Sequence, residues 1–286
     1  MKVTVKAYAK VNLSLDITGK RDDGYHTLRS VMQSVSLCDT ITITLGNVDG
    51  LVLKCSNNTI NGEDNLAFKA AKRFFEVAKI SPNAEIYIEK AIPLAGGLGG
   101  GSVDAAAVLG ALNILCDKPI CDEKLQEIAL SLGADVPFCL NGGTCLAEGI
   151  GEVLTKLCDM PTCKMLVAKK GFKNSTGEMY RTLDAAENLR TSNLDLIKKG
   201  LEKGNVAEMV KGFYNCFETV CGDESIKVKQ IMLDSGALYA GLSGAGPSVI
   251  GIFETDEQLQ TAKADLELFG AEIFCCVPTD KGFEII

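Results

Sequence analysis

Residues 93–102 read PLAGGLGGGS and lie between a predicted strand, Glu85–Glu89, and an alanine-rich predicted helix that begins at Val103. Five of the six residues from 96 to 101 are glycine, so the backbone can turn tightly and approach a ligand closely. The N-terminus of a helix presents unpaired N–H groups and about half a positive charge. The segment therefore predicts a phosphate site, with Ser102 as the helix cap. The alternative is a tight packing turn or hinge.

Two familiar phosphate-binding loops do not fit this segment. A Walker A loop requires Gly-Lys-Ser/Thr, whereas Gly101 is followed directly by Ser102. A dinucleotide fingerprint requires an acidic residue at a strand end roughly 20 residues later. Residues 116–119, CDKP, are instead typical of a loop between helices. The remaining interpretation is a glycine-rich phosphate loop of another kinase type.

Composition limits the class of protein. The 286 residues are 47% hydrophobic and 23% charged, which is typical of a globular protein, and the length predicts about two domains. The net charge of -8 argues against a nucleic-acid binder but permits a small anionic substrate, since a pocket can be locally positive. No apolar run approaches 18 residues, and MKVTVKAYAK at the start alternates as a strand does. We therefore expect a cytoplasmic protein with neither membrane nor nucleic-acid partners.

Histidine and cysteine usage limits metal chemistry. His26 is the only histidine, which excludes sites with several imidazole ligands. The twelve cysteines include no C-x2-C pair of the kind that binds zinc. We expect reduced thiols that pack as small hydrophobic groups in a reducing compartment, with zinc or redox chemistry as the alternative.

The predicted elements divide the chain near Pro161. Before it, the pattern predicts an early β-rich part followed by helices, one capped by Asn65 or Asp64 and another by Asp122. The predicted early strands are Val3–Ala9, Leu13–Ile17, Leu28–Leu37, Ile41–Leu45 and Leu51–Cys55. After Pro161 strands and helices mix. The sequence predicts an α+β fold with domains at 1–160 and 161–286.

Three stretches along the chain carry a specific resemblance. In order they are residues 7–12, AYAKVN, the loop at 93–102, and residues 243–248, SGAGPS. Together they resemble the GHMP kinase superfamily, over essentially the full length. The resemblance implies an N-terminal ribosomal-S5-like α/β domain and a C-terminal ferredoxin-like domain.

A further stretch, DDGYHTL at residues 22–28, resembles one branch of this superfamily. Residues 63–66, 133–138, 147–152 and 175–180 agree with that branch. The resemblance implies an enzyme that transfers phosphate from ATP, with Mg²⁺, to a hydroxyl of a cytidine-diphosphate-linked sugar alcohol. It places that reaction in the mevalonate-independent isoprenoid route.

The resemblance also implies roles for individual residues. Asp135 would accept the proton of the attacking hydroxyl, and Lys10 would neutralise charge on the transferring phosphoryl group. The implied ATP-binding residues are Pro93, Leu94, Ala95, Gly96, Gly97, Leu98, Gly99, Gly100, Gly101, Ser102, Asn65, Leu66 and Lys90. The implied substrate-binding residues are Asn12, Tyr25, His26, Tyr180 and Gly244. Tyr25 and Tyr180 would stack on the cytosine and His26 would read its polar edge. The metal ligands and the oligomeric state remain open.

Two other functions stay open at this point. A homoserine or mevalonate kinase is the nearest alternative, but neither substrate has a base for Tyr25 and His26 to bind. A non-catalytic nucleotide-binding module is the second. The presence of both Lys10 and Asp135 argues against it, because binding alone requires no base.

Overall fold

A computed structural model describes residues 1–46, 48–172, 175–186 and 190–286. The strands, numbered in chain order, are β1 Lys2–Lys20, β2 His26–Leu45, β3 Gly50–Cys55, β4 Asn83–Glu89, β5 Thr144–Glu148, β6 Val153–Lys156, β7 Lys164–Lys169, β8 Tyr239–Leu242, β9 Val249–Phe253, β10 Glu272–Cys276, β11 Pro278–Thr279 and β12 Phe283–Ile285. The α-helices are α1 Leu66–Ala78, α2 Gly100–Leu115, α3 Asp122–Leu132, α4 Val136–Asn141, α5 Thr176–Asp184, α6 Leu194–Glu202, α7 Val206–Met209, α8 Asp223–Asp234 and α9 Asp256–Phe269. Short 3-10 turns lie at Asn58–Ile60, Val210–Gly212 and Cys216–Thr219.

The first sheet has the strand order β12-β1-β2-β4-β3, with β5 and β11 also paired to β2. Its pairs are antiparallel except for β3 with β4. Helix α2 packs against β1 and α1, and its residues from Val103 to Asn113 are all buried. Burial on all sides explains why most of these residues are alanine, valine or leucine. The loop at 93–102 therefore feeds a helix that is fixed in the core.

The second sheet has the order β10-β7-β9-β8, and all of its pairs are antiparallel. Helices α8 and α9 pack against it. The two sheets with their helices confirm the predicted α+β class. Strands β11 and β12 return to the first sheet after the second is complete, so the chain crosses between the two bodies twice. The division at residues 160 and 161 stays a prediction.

The long strands β1 and β2 differ from the sequence prediction. Each was expected as two separate strands, but each runs without a break. Their pairing contains register shifts between Tyr8 and Lys10, between Asn12 and Ser14, and between Ile17 and Gly19. Such bulges bend a strand without ending it, so polar residues that interrupt the alternating pattern do not mark turns.

Helix starts were predicted with mixed success. Asn65 caps α1 as predicted, because its side chain accepts the N–H of Ala67. The prediction that Ser102 caps α2 is wrong: the cap is Gly99, at φ 72°, and Ser102 lies in the first turn. Asp122 is likewise the first residue of α3 and not its cap, which is Cys121. In both cases the helix begins earlier along the chain than predicted.

None of the twelve cysteines is paired in a disulfide in the structure, and their reduced state stays a prediction. In the part of the chain that the structure describes, no group of three or more His, Cys, Asp or Glu side chains could hold a metal ion. Among those same residues, no helix is both long enough and apolar enough to cross a bilayer.

Candidate active site

Strand β1 carries a lysine that meets a carboxylate from a distant segment. Lys10 and Asn12 are two residues apart, so their side chains lie on one face of the strand. Lys10 Nζ donates to Asn12 Oδ1 at 2.8 Å and lies 3.3 Å from Asp135 Oδ2. The Lys10 side chain is 5% exposed, whereas that of Asp135 is 35% exposed. A buried ammonium thus holds a carboxylate that remains accessible to a ligand.

Asn12 is itself fixed by hydrogen bonds to two other segments. Its Nδ2 donates to Ser30 Oγ on β2 at 2.8 Å, and its backbone N–H donates to Ser243 Oγ at 3.2 Å. Ser243 Oγ in turn donates to the carbonyl of Gly97 at 2.9 Å. A Cβ on Gly97 would lie 2.1 Å from the Ser243 carbonyl oxygen, so only glycine allows this approach. The glycine turn at 243–248 therefore packs directly on the glycine-rich loop.

The glycine-rich loop is also fixed to β1. The backbone N–H of Lys10 donates to the Leu98 carbonyl at 3.1 Å. Gly99 has φ 72°, and a Cβ there would lie 2.9 Å from Lys10 Cγ. The first N–H bond of the helix runs from Val103 to the carbonyl of Gly99. The N–H groups of the three residues before Val103 thus stand at the helix terminus, where an anion binds.

An inner cavity of about 330 Å³ lies over the Lys10–Asp135 pair. Gly97, Gly99, Ser102 and Gly244 also line it. An outer cavity of about 520 Å³ adjoins it, because Ala134, Ile150 and Tyr180 line both. The outer cavity is lined by the aromatic side chains of Tyr25, His26 and Tyr180 together with charged side chains. The site therefore has a charged end at the glycine-rich loop and an aromatic end at its mouth.

Comparison with known proteins identifies the family. Residues 65–143 match the GHMP kinases N terminal domain, and residues 185–272 match GHMP kinases C terminal. A protein of Caldicellulosiruptor saccharolyticus, 4-diphosphocytidyl-2-C-methyl-D-erythritol kinase, is 40% identical over 283 residues, 98% of each chain. A protein of the same name from Thermoanaerobacter pseudethanolicus is 38% identical over 289 residues, 99% of each chain.

The chain belongs to the 4-diphosphocytidyl-2-C-methyl-D-erythritol kinase family of the GHMP kinases. A crystal structure of 4-(cytidine 5'-diphospho)-2C-methyl-D-erythritol kinase superposes with a TM-score of 0.83 at 30% identity, covering 97% of this chain and 99% of that one. A homoserine kinase from Cytophaga hutchinsonii has a TM-score of 0.78 at 20% identity, covering 100% of this chain and 97% of that one, which shows a shared fold. As a GHMP kinase, the chain is an ATP-dependent small-molecule kinase.

The aromatic side chains of the outer cavity are arranged differently from the predicted pair of stacking tyrosines, Tyr25 and Tyr180. The His26 ring stacks on Tyr180, with ring centroids 4.7 Å apart and planes inclined by 17°. Tyr25 is 64% exposed. Burial raises the pKa of Tyr180 to about 12, which keeps its hydroxyl neutral. The structure thus brings His26 and Tyr180 together and leaves Tyr25 at the mouth. Enclosure of a base by the two tyrosines stays a prediction.

Sequence reasoning missed Asp184 and Lys20 at this mouth. His26 Nε2 lies 2.5 Å from Asp184 Oδ1, and Lys20 Nζ lies 2.6 Å from Asp184 Oδ2. Hydrogen bonds from Lys20 and His26 hold the pKa of Asp184 below its usual value. Asp184 follows Tyr180 by four residues on α5, so helical spacing could have indicated that it faces the same cavity.

Three predicted ATP-binding residues do not line the inner cavity. Asn65 uses its amide to cap α1 and to donate to the Ile60 carbonyl at 2.8 Å. Leu66 is the first residue of α1, and neither it nor Asn65 lines the inner cavity. The ammonium of Lys90 lies under α2 in ion pairs with Asp39 and Asp104. Their contact with ATP stays a prediction, and the geometry of Lys90 favours an indirect role.

The remaining loop residues differ in their burial. Pro93, Gly96 and Leu98 are buried, whereas Leu94 and Ala95 are exposed at the surface of the loop. Gly100 and Gly101 begin α2. No Cβ contact within 4 Å would form at Gly101, so its surroundings are open. The buried residues Pro93, Gly96 and Leu98 hold the loop in place, and the open space lies at the N-terminus of α2.

Proposed function

We propose that this chain transfers the γ-phosphoryl group of ATP to a hydroxyl of the methylerythritol part of 4-diphosphocytidyl-2-C-methyl-D-erythritol, in the mevalonate-independent route to isoprenoid precursors. One observation carries the proposal: the cavity over Lys10 and Asp135 adjoins an aromatic cavity, and the two share three lining residues. A substrate with a base at one end and a reacting hydroxyl at the other fits such a pair. The full-length relatives of the same name support it.

Asp135 acts on the attacking hydroxyl. Phosphoryl transfer requires little covalent help, but the nucleophile must be oriented and its proton accepted. Asp135 is the accessible member of the ion pair and lines the inner cavity, so it can perform both tasks. Lys10 holds that carboxylate in place and supplies positive charge next to the phosphoryl group as it transfers.

The glycine-rich loop binds the phosphates of ATP. The first N–H groups of α2, from Gly100 to Ser102, stand at a helix N-terminus that can bind an anion, and the helix dipole adds positive charge there. The fit to Mg²⁺ rests on one oxygen donor of the inner cavity, the Ser102 hydroxyl in the first turn of α2. Mg²⁺ commonly takes one or two protein oxygens together with phosphate oxygens. Ser102 would hold the ion, which would neutralise phosphate charge when bound, and the Asp135 carboxylate stays free to act as the base.

The aromatic cavity binds the cytosine. Tyr25 and Tyr180 enclose the base, since aromatic faces stack on nucleobases. Because His26 covers Tyr180 in the structure, its ring has to leave that face when the base enters. His26 then presents its polar edge to the base from the side of the cavity.

A substrate comparison tests the proposal. ADP release would be measured with 4-diphosphocytidyl-2-C-methyl-D-erythritol, homoserine and mevalonate side by side at equal concentration. We expect turnover with the first alone. Equal or faster turnover with homoserine or mevalonate would contradict the assignment, because neither has a base for the aromatic cavity. ATP binding without ADP release in the presence of any of the three acceptors would favour a nucleotide-binding module.

A further inference from the structure

The outer cavity contains the only histidine of the chain, and two residues of α5 hold its side chain. The His26 ring stacks on Tyr180 with ring centroids 4.7 Å apart, and its Nε2 lies 2.5 Å from Asp184 Oδ1. Asp184 follows Tyr180 by four residues and is the last residue of α5. One helix therefore packs against the face of the His26 ring and also binds its edge.

The Asp184 carboxylate acts as a hydrogen-bond acceptor toward two side chains. Lys20 Nζ, at the end of β1, lies 2.6 Å from Asp184 Oδ2, while His26 faces Oδ1. Hydrogen bonds from Lys20 and His26 hold the pKa of Asp184 below its usual value, so the carboxylate is ionised at neutral pH. An ionised carboxylate can only accept, so a short contact with an imidazole nitrogen requires a hydrogen on that nitrogen. His26 Nε2 therefore carries a hydrogen in this arrangement.

The other ring nitrogen of His26 is the one left for a ligand. In a neutral imidazole one nitrogen carries a hydrogen and the other carries a lone pair, and the partner of one nitrogen decides the state of the other. Because Nε2 donates to Asp184, Nδ1 is an acceptor. His26 lines the outer cavity, so its imidazole offers a ligand there a lone pair and not an N–H group.

Cytosine and uracil differ in how they meet an acceptor. Cytosine carries an amino group, the only donor on its polar edge, at the position where uracil carries a carbonyl oxygen. A lone pair on Nδ1 can accept from that amino group. The carbonyl oxygen of uracil would instead face Nδ1 with two acceptors opposed, and a polar group left without a partner in a binding site lowers affinity.

We propose that Asp184 is a positioning residue that fixes His26 with its hydrogen on Nε2, so that Nδ1 accepts from the amino group of cytosine and the site rejects uracil. Asp184 acts on the base through His26. The inference rests on the proposed binding of cytosine in the aromatic cavity. When the His26 ring leaves Tyr180 to admit the base, Asp184 has room to follow it, because its side chain is 36% exposed and α5 ends at this residue.

Lys20 makes Asp184→Asn a decisive variant. The Lys20 ammonium has only donors, so it selects the oxygen of the new amide. The amide NH2 group then faces His26 Nε2, which has to become the acceptor. We therefore expect the hydrogen of the ring to move to Nδ1. That hydrogen would oppose the amino group of cytosine and would fit the carbonyl oxygen of uracil.

The first measurement determines the tautomer by NMR. Because His26 is the only histidine, the full chain without a histidine tag, labelled with nitrogen-15 histidine, gives one pair of ring-nitrogen signals. Spectra at about pH 8.5, where an ordinary imidazole is neutral, distinguish the nitrogen that carries a hydrogen from the one that does not. We expect the hydrogen on Nε2 in wild type and on Nδ1 in Asp184→Asn. Asp23→Asn removes a charge from the same cavity and is the matched control, which should keep the wild-type tautomer.

The second measurement determines the base preference. The kcat/KM for 4-diphosphocytidyl-2-C-methyl-D-erythritol would be compared with that for its uridine analogue. We expect Asp184→Asn to lower the cytidine-over-uridine ratio by roughly 5- to 100-fold, mainly through KM, because the mispaired group lies at the base and not at the reacting hydroxyl. Asp23→Asn should keep the wild-type ratio. A merely structural role of Asp184 would lower kcat/KM for both substrates equally and leave the ratio unchanged.

Three results would overturn the inference. One is a hydrogen on Nδ1 of His26 in wild type. Another is the same tautomer in wild type and Asp184→Asn, which would show that Asp184 does not control the ring. The third is an inverted tautomer with an unchanged cytidine-over-uridine ratio, which would show that Nδ1 does not contact the base. If wild type turned over neither substrate, the proposed function would fail instead, and the NMR spectra would still decide whether Asp184 fixes the tautomer.

Discussion

Lys10 Nζ lies 3.3 Å from Asp135 Oδ2, although Lys10 belongs to a strand at the start of the chain and Asp135 is the N-cap residue of the short helix α4. The lysine is buried and the carboxylate is accessible. Lys10 therefore holds the carboxylate of the proposed base, Asp135, and that carboxylate still lines the inner cavity. The glycine-rich loop contacts the same lysine through Leu98 and Gly99. Acceptor activation and phosphate binding therefore share one structural support.

Gly99→Ala tests that shared support. A Cβ at Gly99 would lie 2.9 Å from Lys10 Cγ and must displace the lysine. Since misplacement of about 1 Å can cost about 100-fold in rate, we expect kcat to fall by about tenfold or more. Gly62→Ala is the matched control, because Gly62 also has positive φ but an added Cβ there meets nothing within 4 Å. Steady-state kinetics and melting curves of both variants decide between displacement of Lys10 and general strain. Equal kcat in the two variants would contradict the contact.

Tyr25→Ala tests the cytosine cavity. Base stacking is worth about 1–3 kcal/mol by alanine substitution, so the substrate KM should rise by roughly 5- to 150-fold. The reacting hydroxyl is at the other end of the substrate, so kcat should fall less, and ATP affinity should barely change. Tyr87→Ala serves as the control, since Tyr87 is an exposed tyrosine of β4 that lines neither cavity. Lost ATP affinity with intact substrate affinity would mean that the two ends of the site are reversed.

Thiol reactivity should follow burial. Cys121, Cys158 and Cys275 are exposed. Burial raises the pKa to about 12 for the thiols of Cys163, Cys216 and Cys276. The thiolate is the reactive form of cysteine. Alkylation of the native protein at pH 8 should therefore modify the three exposed cysteines and spare the three buried ones. Peptide mass spectrometry before and after unfolding measures this. Rapid modification of Cys216 in the folded protein would show that the second domain opens readily.

The sequence predicted the components of the site better than their arrangement. The two-residue spacing placed Lys10 and Asn12 on one face. The glycines of 93–102 predicted a close approach to a ligand, whereas the close approach of Gly97 to the Ser243 carbonyl was not predicted. Resemblance, and not periodicity, related Asp135 to Lys10, because the pair joins segments more than a hundred residues apart. Helix α4 was missed because six residues with a proline in the first turn give no helical period.

Buried charges were the hardest feature to predict. Asp39 and Asp104 look like surface residues in the sequence, and only the fold shows that both face Lys90. Lys90 was expected among the ATP-binding residues, and in the structure the same two carboxylates pair with its ammonium next to the start of α2. A polar residue inside an apolar helix, such as Asp104 in α2, was the available signal.

The most direct test of the account is single-turnover phosphoryl transfer by Asp135→Asn with both substrates saturating. A positioned base contributes about 10²- to 10⁴-fold, so the rate should fall by that amount while ATP binding and folding are retained. Asp122→Asn, at an exposed aspartate in the first turn of α3, is the control and should keep the wild-type rate. A loss of less than about fivefold in Asp135→Asn would contradict the role of Asp135 as the base.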